Sequence, residues 1–576
     1  MSARRSVWIF VLVITLVGGA VFTAALALRG PRPRAVAPTV LVWNVPETLV
    51  EGAPPRHLFG YGWLRRTQPT VLDVVRTLDR AAADRRVKAI VLHIDGLDWG
   101  WGKLSEVRDA LSRVRKLGKP VYAEVESGGD AEYFLASAAN VVSVPPAGVL
   151  YVDGLMASAM FFKGTLDKLD IHPNYAHAGE FKSAAETYTR TGMSAPAREA
   201  LDGLLDGLFS VLVDSLASAR RLEPDSVRHL IDAGPFPAAV ARANGLVDTL
   251  AYGDQLDSLA ADRAGDGTES ESFAHYGARA SWGDSHVAFV SAAGTIASGR
   301  SHYEPMGGAV LGSETICEAL RDLRDDRSIK AVVLRIDSPG GEAQAADEIW
   351  HEVERLNARK PVIVSMSDLA ASGGYYIAAP ATRIVAQPGT LTGSIGVYGG
   401  KLNVLGLYQK LGLSVETVTR GRNAAMLSPV RDFDEQEGAH FQSQIDSTYQ
   451  LFLRRVSEGR MLSLTDADSV ARGRVWTGEA ALTRGLVDTL GGIRTAFRIA
   501  LHSAGLPETQ AFAVEEYPRP ARTFFDRMIE SWISDEGQND EALARSFTPV
   551  MRAWITAATF PAGRAMALLP WSIRIR

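Results

Sequence analysis

The chain opens on an uncharged apolar run, Ser6 to Leu28, and then changes character. From there on, short apolar stretches alternate with amphipathic ones. In Ala89–Ile94, Val121–Val125 and Val141–Val144 the apolar residues follow one another with little polar alternation, the pattern of strands buried on both faces. Helical spacing takes over between such stretches. In Ala346–Asn357, for example, Ile349, Val353 and Leu356 mark one face of a helix. Buried strands separated by helices predict an α/β architecture with layered helices and a parallel sheet.

The pattern occurs twice, at an offset of about 242 residues. Lys88-Ala-Ile-Val-Leu-His-Ile-Asp95 returns as Lys330-Ala-Val-Val-Leu-Arg-Ile-Asp337, and Lys119-Pro-Val121 as Lys360-Pro-Val362. Tyr133-Phe-Leu-Ala136 matches Tyr375-Tyr-Ile-Ala378, and Gly245-Leu-Val-Asp-Thr-Leu250 matches Gly485-Leu-Val-Asp-Thr-Leu490. An ordered series at nearly constant offset is a duplicated domain, since the period is far too long for a solenoid. The joint between copies falls in the Gly-, Asp- and Ser-rich stretch Ala261–Ser285. Residues after about Gly505 have no evident counterpart in the first copy.

The opening run is long enough, at roughly 34 Å of helix, to cross a bilayer core. Arginines flank both ends, so charge does not set its orientation. Ala25-Leu26-Ala27 fits a signal-peptide cleavage site, but the run exceeds the usual apolar region of such peptides, and a retained anchor is the expectation. Composition adds exclusions. With 61 Lys+Arg against 66 Asp+Glu, the net charge of −5 provides no basic field to hold nucleic acid. One cysteine, Cys317, allows neither an intrachain disulfide nor a Cys-based metal cage.

The chemistry concentrates in Leu369-Ala-Ala-Ser-Gly-Gly-Tyr-Tyr-Ile-Ala-Ala379. Ser372 falls where a strand, expected over Val362–Met366, gives way to a helix. Small neighbours there leave a nucleophile open, and free N–H groups at a helix start can bind an oxyanion. Asp337-Ser-Pro-Gly-Gly341 follows the preceding strand, and Gly340 and Gly341 permit a turn that aims another N–H at the same point. A serine needs a base. No histidine lies between His351 and His440, whereas Lys182, in Gly179-Glu-Phe-Lys-Ser-Ala184, is a candidate in the first copy. At the repeat offset Ser372 corresponds to Asp130 and Lys182 to Ala424, so each copy holds one half of a two-residue site.

At these residues the chain resembles the signal peptide peptidases of the SppA type, also called protease IV, in their long duplicated form. The resemblance covers roughly residues 39–505. It rests on the 337–341 turn, the 370–376 segment, Leu391-Thr-Gly-Ser-Ile-Gly396, the 179–184 segment, and Val475-Trp-Thr-Gly478 before Gly485-Leu-Val-Asp488. It implies two tandem ClpP/crotonase-like α/β domains after an N-terminal transmembrane helix. The expected limits are 1–35 for the anchor, 36–270 for the lysine-bearing domain, 271–505 for the serine-bearing domain, and 506–576 for an extension without an assigned role. It further implies a serine endopeptidase acting on remnant signal peptides and other apolar peptides, with Ser372 as nucleophile, Lys182 as general base and Ser394 supporting the lysine. Backbone N–H groups of Gly373 and of Gly340 or Gly341 would form the oxyanion hole, without metal or cofactor. The implied setting is the bacterial inner membrane, single-pass, with the catalytic domains on the periplasmic side, as a homotetramer. The rivals are an acyl-CoA hydratase or isomerase on the same fold and a non-catalytic membrane scaffold.

Overall fold

The computed structural model describes residues 38–52, 69–126, 128–278, 286–304, 308–507, 514–518 and 564–568. The apolar run Ser6–Leu28 lies outside them. Among the described residues no helix is long and apolar enough to cross a membrane.

Each copy builds a parallel sheet with the same strand order. In the first the order is Thr249–Leu250, Val141–Val144, Val121–Val125, Val87–Ile94, Thr39–Asn44, Glu269–Ser272. In the second it is Thr489–Leu490, Arg383–Ala386, Val362–Ala371, Ala331–Ser338, Val287–Ala293, Val514–Tyr517. The central strands are buried almost residue by residue, as their unbroken apolar sequence requires. Amphipathic helices supply the covering layers. Val71–Ala83 starts at Thr70, whose side chain caps Asp73 N–H while the Asp73 carboxylate returns a bond to Thr70 N–H. Ala343–Asn357 buries Ile349, Val353 and Leu356, the face read from its spacing.

The two copies share one core. Val287, Phe289, Val333, Ile363, Ile493 and Phe497 of the second copy pack into the same apolar cluster as Leu104, Val107 and Leu111 of the first. The first-copy helix Trp101–Lys116 lies against the second-copy strand Val362–Ala371.

Three expectations change. The strand expected to end at Met366 runs on to Ala371. Ser367 and Asp368, which read as its end, are polar residues whose bonds are met from the first copy: Ser367 Oγ bonds Glu51, and Asp368 accepts N–H groups of Gly100 and Lys103. The tail after 505 is not wholly without counterpart. Val514–Tyr517 lies parallel to Val287–Ala293 just as Glu269–Ser272 lies parallel to Thr39–Asn44, closing the same edge in each copy. Finally, a limit at residue 270 cuts through that first-copy edge strand, and the Phe273–Ala278 helix beyond it still packs on Val71–Ala83.

A further mixed sheet joins the copies. Its order is His302–Glu304, Gly308–Gly312, Thr295–Ala297, Gly340–Glu342, Met566–Leu568, Val397–Asn403, His172–Ala178. The last of these, from the first copy, runs antiparallel to Val397–Asn403 along its whole length. That pairing carries the first copy's chain to the edge of the second copy's sheet, with Lys182 four residues beyond the strand end.

Candidate active site

Ser372 stands between the strand Val362–Ala371 and the short helix Gly373–Ala378. Its backbone is held at φ 57°, ψ −113°, a conformation unfavourable for a side-chain-bearing residue. The surroundings fix it there: Ser372 N–H donates to Gly393 O at 2.7 Å, and Tyr376 N–H donates to Ser372 O at 2.8 Å. The residue is fully buried.

Lys182 comes from the other copy and is also buried, at 1% exposure. Phe181 N–H donates to Arg472 O at 2.8 Å, tying the lysine loop to the second copy. Gly473 makes room for it, since a Cβ there would stand 2.5 Å from Lys182 N. Lys182 Nζ lies 2.7 Å from Ser372 Oγ, 3.0 Å from Ser394 O and 3.0 Å from Ser394 Oγ. Ser394 is itself held at φ 51°, its N–H donating to Arg474 O at 2.7 Å. Burial pushes the Lys182 amine well below the ordinary lysine range. Three partners suit a neutral amine: two N–H groups donate to the Ser394 oxygens, and the lone pair is left for the Ser372 hydroxyl.

The Gly-rich turn lies beside this pair. Gly340 has φ 96° and sits so close to Gly373 N that a Cβ would come within 2.7 Å of it. Gly340 N–H already donates to Ser338 Oγ at 3.1 Å. Gly341 faces the tail strand instead. Gly341 pairs with Ala567 in an antiparallel ladder, and Ala343 N–H donates to Ala565 O at 3.1 Å. Alternation along the ladder makes Gly341 and Ala567 the next hydrogen-bonded pair, so Gly341 N–H donates to the Ala567 carbonyl. That carbonyl also abuts Gly340 and Gly373: a Cβ at either would run into it. A peptide carbonyl thus occupies the place beside the serine where the backbone donors converge. Met566 packs with Ala184, Ala185 and Tyr398, and Arg564 pairs with Glu342.

Sequence reasoning missed the charged frame behind the turn. Lys103 Nζ, from the first copy, bridges Asp337 Oδ2 at 2.7 Å and Asp368 Oδ2 at 2.9 Å. Asp337 Oδ1 accepts Leu369 N–H at 3.1 Å, so the turn and the serine strand share one clamp. The wholly buried Arg335 is held by Glu51 at 2.9 and 3.0 Å and by Glu106 at 3.3 Å. Its signal was visible: an arginine inside an otherwise apolar strand requires buried partners.

The model of peptidase family S49 matches the chain twice, over residues 113–265 and 354–506. The chain belongs to peptidase family S49. The first S49 unit contains Lys182 and the second Ser372 and Ser394. The chloroplastic serine protease SPPA of Arabidopsis thaliana is 34% identical over 458 residues, covering 78% of this chain and 68% of that one. Protease 4 of Salmonella typhi is 31% identical over 497 residues, 83% of this chain and 79% of that one. Protease 4 of Haemophilus influenzae is 33% identical over 460 residues, 74% and 72% of the two chains. With two S49 units and this likeness over most of its length, the chain is a serine peptidase of the duplicated SppA group.

Proposed function

We propose that this S49 peptidase hydrolyses peptides through a Ser372/Lys182 dyad completed between its two copies within one chain. The observation that carries the reading is the 2.7 Å contact between Lys182 Nζ and Ser372 Oγ, in a setting whose burial pushes the amine well below the ordinary lysine range. Neutral Lys182 takes the Ser372 proton as Oγ attacks the scissile carbonyl. Gly373 and Gly341 N–H groups receive the developing oxyanion. Gly340, weighed as an alternative donor, keeps its N–H on Ser338. Protonated Lys182 then passes its proton to the leaving amine, and water resolves the acyl-enzyme. Ser394 orients the amine without adding charge.

A peptide as substrate is supported by the tail strand Met566–Leu568, which lies between Gly340–Glu342 and Val397–Asn403 as an extended backbone. Another extended peptide would use the same pairings. The small Ala567 and the apolar surroundings of Met566 favour apolar, small-residue-rich sequences such as remnant signal peptides. The units would be ClpP/crotonase-like domains, an architecture that the repeated parallel sheet with its crossover helices fits. We further propose single-pass anchoring through Ser6–Leu28 in a bacterial inner membrane, with the S49 units on the periplasmic side, and assembly as a homo-oligomer, the tetramer being the form expected. Fluorophosphonate labelling tests the reading. The parent should label on Ser372, and Ser372→Ala and Lys182→Ala should not. Labelling that persists in Ser372→Ala rejects the dyad.

A further inference from the structure

One carboxylate beside the cleft serves neither the dyad, nor the oxyanion donors, nor the charged frame behind the turn. Glu342 ends the strand Gly340–Glu342 and immediately precedes the helix Ala343–Asn357. It is buried, yet its side chain makes no capping bond to that helix. One oxygen, Oε2, accepts Ser298 N–H at 3.0 Å and the Ser298 hydroxyl at 2.7 Å. The other, Oε1, accepts the guanidinium of Arg564. Ser298 fixes the carboxylate without neutralising it, and a buried charge calls for a counter-ion. Among the described residues Arg564, from the tail, pairs with it. An acid is not demanded by the fold at this point. At the repeat offset the first copy has Gly100, which likewise precedes a helix, Trp101–Lys116.

The tail strand shows what an extended backbone in this cleft presents. The Ala567 carbonyl stands beside Gly340, Gly341 and Gly373, so the bond after Ala567 lies where a scissile bond would. Met566 is opposite Glu342 in the ladder. Residues two apart share one face of a strand, which puts Arg564 on the face of Met566 and Glu342, one diagonal step along. A long side chain spans that step and a short one does not. Arg564 is thus the fourth residue before the presented bond, and half of its side chain stays in solvent while the guanidinium is engaged.

We propose that Glu342 is a specificity-determining residue, which recruits an arginine or lysine as the fourth residue before the scissile bond of a substrate. The inference rests on the peptidase reading and deepens it by saying where a substrate is cut. A signal peptide carries its basic residues just ahead of its apolar run. The cleft takes a basic fourth residue at Glu342, an apolar second residue against Ala184, Ala185 and Tyr398, and a small first residue in the place of Ala567. Such a cleft opens a signal peptide where its basic segment meets its apolar run.

The test uses the full chain in detergent, with Ser372→Ala as the blank. Five peptides share one apolar, small-residue-rich sequence and differ at a single position, which holds arginine, lysine, citrulline, alanine or glutamate. Citrulline has arginine's shape without its charge. In the parent, products identified by mass should place the main cut after the third residue beyond the arginine, and moving the arginine by two positions should move the cut by two. The arginine peptide should exceed the citrulline one about tenfold in kcat/KM, the order of one charge-assisted hydrogen bond to a half-exposed partner. The glutamate peptide should be the slowest. The gain should lie in KM with kcat level, because the contact is remote from the reacting atoms. Glu342→Gln keeps an acceptor for Ser298 and should abolish the preference, whereas a purely structural role would slow all five peptides alike. Both peptides of a ratio meet the same enzyme, so competition from the tail cancels. Arg564→Ala, which loosens the tail, should lower the apparent KM for all five and keep the preference. An arginine peptide cut no better than the citrulline one, a preference that survives Glu342→Gln, or a KM unmoved by Arg564→Ala overturns this inference and leaves the peptidase reading standing. A parent that cuts none of the five overturns both.

Discussion

Both copies bring a strand to a short helix at the same topological point, yet they treat that point in opposite ways. In the second copy the turn carries Ser372 at positive φ, followed by Gly373 and Gly374. In the first, Asp130 begins the helix Asp130–Ala136, and Glu132 closes the turn. Glu132 accepts Leu97 N–H and Gly129 N–H, each at 2.7 Å. Gly374 stands where Glu132 would, and a Cβ there would already come within 2.8 Å of Ser338 O. One carboxylate two residues past the serine position therefore turns a cleft with available donors into a turn that satisfies itself. The lysine side differs as sharply: Lys182 is buried against Ser372, whereas Ala424 is exposed. Chemistry needs both halves to be right at one junction, and only the junction inside the chain has them.

The largest expected effect breaks the active junction. Ser372→Ala should lower peptide hydrolysis by about 10^4-fold or more, as loss of a nucleophile does elsewhere, with the thermal transition retained. Peptide hydrolysis at the parent rate would remove the second copy's distinction. Next, Lys182→Arg should be as inactive as Lys182→Ala, since a guanidinium cannot accept a proton at working pH. The pH profile sharpens this. Burial depresses the folded pKa of Lys182 below the unfolded value of about 10.4. Hydrolysis should rise as pH climbs through the folded value. The lysine's contribution to stability should rise from that value up to the unfolded one, because there the unfolded chain binds the extra proton. A rate limb that rises only near the ordinary lysine pKa would contradict the buried, neutral amine.

A smaller effect concerns the tail, which has no partner strand of this kind in the first copy among the described residues. Ala567 is fully buried among backbone atoms of Gly340 and Gly373. Ala567→Trp leaves no room for the ring and should expel the strand from the cleft. If the strand fills the cleft nine-tenths of the time, the apparent KM for a peptide falls about tenfold with kcat unchanged. An unchanged KM would mean that substrates do not compete with residues 564–568.

Much of the repeated sheet was legible because its signal is local. Val121–Val125 and Val141–Val144 begin and end where their apolar runs do. What was not legible depends on partners distant in sequence. Nothing in His172–Ala178 announces that it pairs with Val397–Asn403, since its own residues include a proline, an asparagine and two histidines. Ser367 and Asp368 read as the end of a strand because their acceptors and donors, Glu51, Gly100 and Lys103, lie in the other copy. The residues of the site were nameable from the repeat, through the complementary pairs Ser372/Asp130 and Lys182/Ala424. The conformation of Ser372, the Lys103 clamp and the carbonyl of Ala567 beside Gly341 were not, because each is set by chain brought from elsewhere.

The smallest expected effect on hydrolysis belongs to the first copy's own turn, where the comparison predicts none. Asp130 accepts Gly154 N–H at 3.1 Å and is otherwise sheltered, and burial pushes its carboxyl up to about 6 from 3.8. An acid whose folded pKa lies above its unfolded one stabilises the fold fully below the unfolded value and loses that contribution as pH rises through the folded one. Asp130→Asn keeps an acceptor for Gly154 and cannot ionise. The variant's melting temperature relative to the parent should therefore climb between about pH 4 and pH 6 and stay level above that. Hydrolysis should match the parent throughout. Asp130→Ser combined with Glu132→Gly should likewise create no fluorophosphonate-reactive serine, because Ala424 offers no amine to activate it. A second labelled serine in that variant would mean that the donor cleft alone makes the site, and that the difference between the copies lies in Glu132 and not in the missing lysine.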